Sequence, residues 1–97
     1  MRKRIRTESL ISELAGVFLN ERTTGKSLLT GVDTQLSEDG RNAHVFVSVF
    51  PTEHHAEAKS FLMRQGGEFR TYLAARAHLR TIPRITFIAG ESMAPLL

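Results

Sequence analysis

The order of periodic segments in this 97-residue chain predicts an α+β fold, helix-strand-strand-helix-helix-strand, with a three-stranded sheet carrying its helices on one face. Three observations predict it. An amphipathic helical pattern opens the chain, and two alternating segments rich in Val, Thr and Phe follow, joined by a short polar turn. Two further helical patterns then meet at Gly66-Gly67 ahead of a last alternating segment. No internal repeat or low-complexity stretch competes with this order, and the length suits a single domain over residues 1–97 with a core from about residue 5 to 90.

From Ile5 to about Asn20, the residues Ile11, Leu14, Ala15 and Phe18 fall at the i, i+3, i+4, i+7 spacing of one helical face. Thr7 suits the cap of a late start, and the basic run before it is equally compatible with helix, so both starts stand. Thr23, Thr24 and Gly25 end the helix in a loop reaching Ser27. Leu28 to Leu36 places Leu28, Thr30, Val32, Thr34 and Leu36 on one side of a strand, and Ala43 to Phe50 forms a second. Between them Ser37-Glu38-Asp39-Gly40 has the chemistry of a type I turn followed by a glycine at positive φ, a common hairpin connection.

Pro51 cannot donate to a sheet ladder, and Thr52 with Glu53 predicts the start of the second helix. That helix runs through Ala58, Phe61 and Leu62 to Arg64, and helical spacing resumes after the glycines with Phe69, Tyr72, Leu73 and Ala77. Pro83 closes this region, and Ile85, Phe87 and Ala89 alternate as the last strand.

Composition narrows the function. There is no cysteine, so disulfides, thiolate metal sites and a cysteine nucleophile are excluded, and a reducing cytoplasm suits the chain. Apolar runs such as Val45 to Phe50 fall far short of the roughly 20 residues that span a bilayer, so no membrane is expected. The formal charge is +3, but its distribution matters more than its sum. Arg2, Lys3, Arg4 and Arg6 form one basic cluster; Lys59, Arg64, Arg70, Arg76, Arg80 and Arg84 lie in a stretch whose one acid is Glu68. A polyanion is the natural partner, against the plainer reading of solvated surface charge.

The stretch from Gly31 to Val49, with Ser37-Glu38-Asp39 in its turn and Ala43-His44-Val45-Phe46-Val47-Ser48 in its second strand, resembles the hairpin of the ribosome-binding factor A family. The closing segment Ile82-Pro83-Arg84-Ile85-Thr86-Phe87-Ile88-Ala89-Gly90-Glu91-Ser92 is similar to that family's last strand. The resemblance implies a type II KH fold in which an Ala-x-Gly kink replaces the Gly-x-x-Gly loop of ordinary KH domains. Gln65-Gly66-Gly67 occupies that place, with Gly67 retained and Gln where the family has Ala; the loop at Arg22 to Gly25 also departs from the family's Asp-Pro-Arg run. The resemblance further implies a non-catalytic assembly factor that binds the immature small ribosomal subunit and its ribosomal RNA, serves late RNA processing and cold adaptation, and is monomeric when free. A generic single-stranded RNA binder, a structural ribosomal protein and a small α+β enzyme are the competing readings.

The candidate RNA-binding residues are the basic ones named above, since the guanidinium fork grips phosphate with parallel hydrogen bonds. Arg64 and Arg70 bracket the glycine corner, and neutralising them with Arg76 and Arg80 is expected to weaken RNA binding while changing stability little. Arg22 has no assigned contact and serves as the control. The aromatics Phe18, Phe46, Phe50, Phe61, Phe69, Tyr72 and Phe87 fit core positions by their spacing, and would stack on bases only from an open sheet face. His54-His55 point about 100° apart on a helix and so do not form the i, i+4 pair of a helical metal site; no metal or cofactor is expected. No phosphate-binding loop or nucleophile elbow is present, and Gly25-Lys26-Ser27 lacks the earlier glycine that such a loop needs, so an enzyme is not expected.

Overall fold

The computed structural model describes the backbone of residues 2–22, 28–50 and 55–90, and their side chains except at 2–3, 28–30, 49–50 and 55–58. Helix α1 spans Arg2–Arg22, strands β1 and β2 span Leu28–Leu36 and Asn42–Phe50, helices α2 and α3 span His55–Met63 and Gly66–Arg76, and strand β3 spans Arg84–Ala89. The sheet order is β1-β2-β3, with β1 and β2 antiparallel and β2 and β3 parallel. Parallel neighbours need a crossover, and the α2–α3 pair supplies it. The expected helix start at Thr52 lies outside the described residues.

Helix α1 begins at the basic run, so Thr7 lies inside the helix and is not its N-cap. Cations in a first turn oppose the helix dipole, and the opposition is offset by contacts to β1. The Glu8 carboxylate accepts the Leu36 N–H at 2.8 Å, Arg4 donates to the Leu36 carbonyl, and the Ser12 and Thr34 hydroxyls share a hydrogen bond of 2.7 Å. These three side chains follow one another at i, i+4, i+8 along a single stripe of α1.

The core lies between the helices and one face of the sheet. Ile11, Ala15, Phe18 and Leu19 of α1 meet Ala43, Val45 and Val47 of β2, Ile85 and Phe87 of β3, and Leu62, Phe69 and Leu73 of the other helices. Its centre is aromatic: Phe18 lies 5.1 Å from Phe69 and 5.0 Å from Tyr72 between ring centroids, and Phe69 lies 5.4 Å from Phe87. The expected alternation of β1 holds from Val32 to Leu36, but a bulge between Leu29 and Gly31 shifts the register so that Leu29, not Leu28 or Thr30, stands opposite Val49.

The hairpin turn forms as its residues dictate. Gly40 takes φ +73° and donates to the Ser37 carbonyl at 2.9 Å, and Asp39 Oδ1 accepts from the Ser37 hydroxyl at 2.7 Å and the Arg41 N–H at 3.0 Å. Those two bonds, the hydroxyl first, hold the Asp39 carboxyl below its ordinary pKa. A carboxylate depressed in this way adds stability that is present above the ordinary carboxylate pKa and is lost as pH falls through the lower folded value. In an NMR titration the Asp39 carboxyl should therefore turn over below the usual aspartate range, and Asp39→Asn should lose more stability at neutral pH than in acid; an ordinary midpoint would contradict the turn geometry.

The α2–α3 corner forms at Arg64 and Gln65, and its glycines open α3. Arg64 and Gln65 donate back to the Phe61 and Leu62 carbonyls at 3.1 and 3.0 Å, tightening the end of α2, and Gln65 begins α3 by accepting the Phe69 N–H at 2.8 Å. Neither Gly66 nor Gly67 has positive φ; among the described residues only Gly40 and Gly90 do. A Cβ on Gly66 would fall 2.8 Å from the backbone carbonyl oxygen of Ile85, whereas a Cβ on Gly67 would meet nothing within 4 Å. The corner thus needs Gly66 for close approach to β3, and Gly67 is dispensable. Urea denaturation should show Gly66→Ala losing about 1–3 kcal/mol and Gly67→Ala unchanged or gaining up to about 1 kcal/mol; the reverse order would refute this packing.

Candidate nucleic-acid interface

The basic residues divide according to whether the fold already uses their guanidinium groups. Arg4 bonds the Leu36 carbonyl and lies 3.9 Å from Glu8. Arg76 lies over the Tyr72 ring at 3.8 Å from its centroid. Arg70 donates through Nε to the Pro83 carbonyl at 3.2 Å and through Nη2 to the Ile82 carbonyl at 3.0 Å, so it ties α3 to the segment leading into β3. Arg22, with no assigned contact in the sequence, covers the Phe18 ring at 3.7 Å and reaches Glu68 at 3.6 Å. It is therefore a structural residue and a poor neutral control.

Arg6, Lys59, Arg64, Arg80 and Arg84 are exposed, and none has a side-chain partner among the described residues. They are scattered: Arg6 is on α1, Lys59 on α2, Arg64 at the corner, Arg80 in the segment after α3 and Arg84 at the start of β3. The side chains of Arg2 and Lys3 lie outside the described ones. Of the two arginines that bracket the corner, Arg70 turns its guanidinium to the Ile82 and Pro83 carbonyls, whereas Arg64 is exposed.

One site does gather cations. Arg41, Asn42, Arg70, Thr81, Ile82 and Arg84 line a shallow open depression where β2 and β3 begin, with no acidic residue in its lining among the described residues. Its backbone is fixed on every side: Asp39 Oδ1 holds the Arg41 N–H, the Arg84 N–H donates to the Arg41 carbonyl at 2.8 Å, and Arg70 holds Ile82 and Pro83. Three planar, permanently charged donors on a fixed rim suit a phosphate or another oxyanion. Sequence reasoning missed Arg41. Its place beside Arg84 follows from the parallel register Asn42↔Arg84, which one sequence does not display.

Among the described residues, no three or more His, Cys, Asp or Glu gather in a way that could hold a metal ion, and no helix is long and apolar enough to cross a membrane. The element order on a three-stranded mixed sheet, with glycines at a helix–helix corner instead of a Gly-x-x-Gly loop, defines the type II KH-like class. The family model for ribosome-binding factor A matches residues 2–95, and the chain belongs to that family.

Relatives agree. The ribosome-binding factor A of Trichormus variabilis is 31% identical over 84 residues, 86% of this chain, and this chain spans 63% of its length. That of Thermodesulfovibrio yellowstonii is 32% identical over 85 residues, covering 87% of this chain and 72% of the relative. A Thermotoga maritima structure described as a ribosome binding factor A superposes with TM-score 0.73 at 28% identity, covering 98% of this chain and 93% of that one. The Thermus thermophilus ribosome-binding factor A has the same fold, with TM-score 0.71 at 22% identity over 89% of this chain and 93% of that one.

The double carbonyl contact makes Arg70 both a fold residue and a rim residue, which revises the expectation that neutralising it leaves stability alone. Chemical denaturation should show Arg70→Gln losing about 1 kcal/mol, while Arg64→Gln and Arg80→Gln stay within about 0.5 kcal/mol of the parent. Equal effects at all three positions would show that the carbonyl contacts contribute nothing.

Proposed function

We propose that this protein is a non-catalytic assembly factor that binds the immature small ribosomal subunit through its ribosomal RNA and departs before translation. Membership of the ribosome-binding factor A family, over residues 2–95, is the observation that carries this reading. The oxyanion-suited depression at Arg41, Arg70 and Arg84 supports it, because RNA affinity comes first from phosphate contacts. On this reading residues 1–97 act as one RNA-binding unit, monomeric when free and cytoplasmic. Arg2, Lys3, Arg4, Arg6, Lys59, Arg64, Arg76 and Arg80 add long-range attraction to that of the arginine depression. The finer roles in late processing of the RNA near its 3′ end and in cold adaptation belong to the same proposal: RNA helices that form slowly or wrongly in the cold need a protein to hold a productive arrangement.

Sedimentation of cell extract tests it. The protein should be enriched on precursor small subunits over mature and translating ones, and a deletion strain should accumulate precursor RNA, more so at low temperature. Stoichiometric retention on mature subunits would identify a structural ribosomal protein instead, and normal processing in the cold would remove the assembly role.

A further inference from the structure

The sheet has a second face, turned away from the helices. The core takes Ala43, Val45 and Val47 from β2 and Ile85 and Phe87 from β3, so the alternate residues His44, Phe46, Arg84, Thr86 and Ile88 stand on the opposite side. The parallel register sets them in rows: Arg84 beside Asn42, Thr86 beside His44, and Ile88 beside Phe46. His44, Arg84 and Thr86 are exposed, and Phe46 and Ile88 are half-buried. Phe46 and Ile88 belong neither to the core nor to the apolar residues packed against it. Phe46 meets the His44 ring edge-on at 6.4 Å and takes no part in the aromatic contacts of the core.

We propose that this open face, continuous with the Arg41–Arg70–Arg84 depression, is a binding path for an unpaired RNA segment, with a phosphate held at the arginines and a base stacked at Phe46. The inference rests on the RNA-binding reading above and names the form of RNA taken. Two features select the occupant. Arg84 belongs to both surfaces, standing on the rim of the depression and at the start of the row that leads to Ile88. At about 3.3 Å per residue along a strand, Arg84 and the Phe46–Ile88 row lie about 13 Å apart, within reach of a few nucleotides of extended strand. Charge then orients the strand. Asp33 stands opposite Phe46 on the β1 side and is exposed, so it repels a phosphate backbone and leaves the β3 side, where Arg84 lies, for it. The same carboxylate accepts hydrogen bonds from a base's amino group, which places bases toward β1 and backbone toward β3. A duplex cannot use this path, because its bases are already stacked on one another and present no free face to a ring.

The test is fluorescence anisotropy of the full chain with a short mixed-sequence RNA, free or annealed to its complement. Three proteins are compared: the parent, Phe46→Leu, and the double variant Arg41→Gln with Arg84→Gln. The single strand should bind more tightly than the duplex. Phe46→Leu should weaken single-strand binding roughly tenfold and leave the salt dependence unchanged, whereas the double variant should reduce the slope of log affinity against log salt by about 1.4, or roughly 0.7 per lost phosphate contact. In the parent, RNA should also move the Phe46 ring resonances upfield, a readout that stands even if Phe46→Leu is poorly folded. Unshifted Phe46 resonances, equal binding of duplex and single strand, or an unchanged salt slope in the double variant would each overturn the path. Competition by an acidic peptide as strong as by RNA would overturn it in favour of a protein partner. Its failure is separable from failure of the assembly role, since enrichment on precursor subunits is read by sedimentation and does not depend on binding a free single strand.

Discussion

The carbonyl of Ile85 leaves no room for a side chain at residue 66, and much of the structure depends on that approach. With Gly66 against β3, the α2–α3 corner sits at the edge of the sheet, and the first turn of α3 carries Phe69 into contact with both Phe18 and Phe87. One residue after Phe69, Arg70 reaches the Ile82 and Pro83 carbonyls, which fixes the chain entering β3 and so the position of Arg84. A single close backbone contact is therefore propagated through one helical turn to the rim of the arginine depression. The corner also carries a strain: the side-chain carbonyl oxygen of Gln65 is buried without a hydrogen-bond partner among the described residues, an arrangement that disfavours the fold where it stays unpaired and that the family's alanine avoids.

A second constraint holds the other side of the sheet. β1 is an edge strand, and unpaired edge groups invite another strand to add. Glu8 and Arg4 satisfy the N–H and the carbonyl of Leu36 together, and Ser12 engages Thr34 one turn further along. The helix thereby takes the place of a neighbouring strand at the end of β1. This explains why α1 extends through a run of cations that the dipole disfavours. The apolar face beginning at Ile11 anchors the helix, and the polar stripe holds its first turns against the sheet.

Local chemistry made much of this legible from the sequence. Ile11, Ala15 and Phe18 reveal the buried face of α1 by spacing alone, and Ser37, Asp39 and Gly40 specify the turn because each of its bonds spans no more than a few residues. What stayed hidden depended on contacts between distant segments. The start of α1 is set by Leu36, the bulge between Leu29 and Gly31 by pairing with β2, and the choice of Gly66 over Gly67 by a carbonyl nineteen positions further along the chain. The site followed the same division. Arg70 and Arg84 stood out by charge, but Arg41 joins them only through the parallel pairing of β2 with β3, and nothing in composition separates arginines engaged with carbonyls from arginines left free.

That separation bears on the proposed binding of a polyanion by a chain of modest net charge. Of the arginines with described side chains, Arg4, Arg22, Arg70 and Arg76 are held by backbone carbonyls, a carboxylate or an aromatic ring, Arg41 stands within reach of the Asp39 charge, and Arg6, Arg64, Arg80 and Arg84 have no side-chain partner among the described residues. Free, scattered cations attract from a distance but lose side-chain entropy when they engage, so they favour encounter more than a fixed geometry. Arg70 is the reverse case. Two of its donors are committed to carbonyls, which immobilises the guanidinium before any ligand arrives, and its remaining N–H groups stay available on the rim beside Arg41 and Arg84. A contact that looks purely structural therefore pre-organises the depression where Arg41, Arg70 and Arg84 converge, and the geometry of its rim is set by packing at Gly66 as much as by charge.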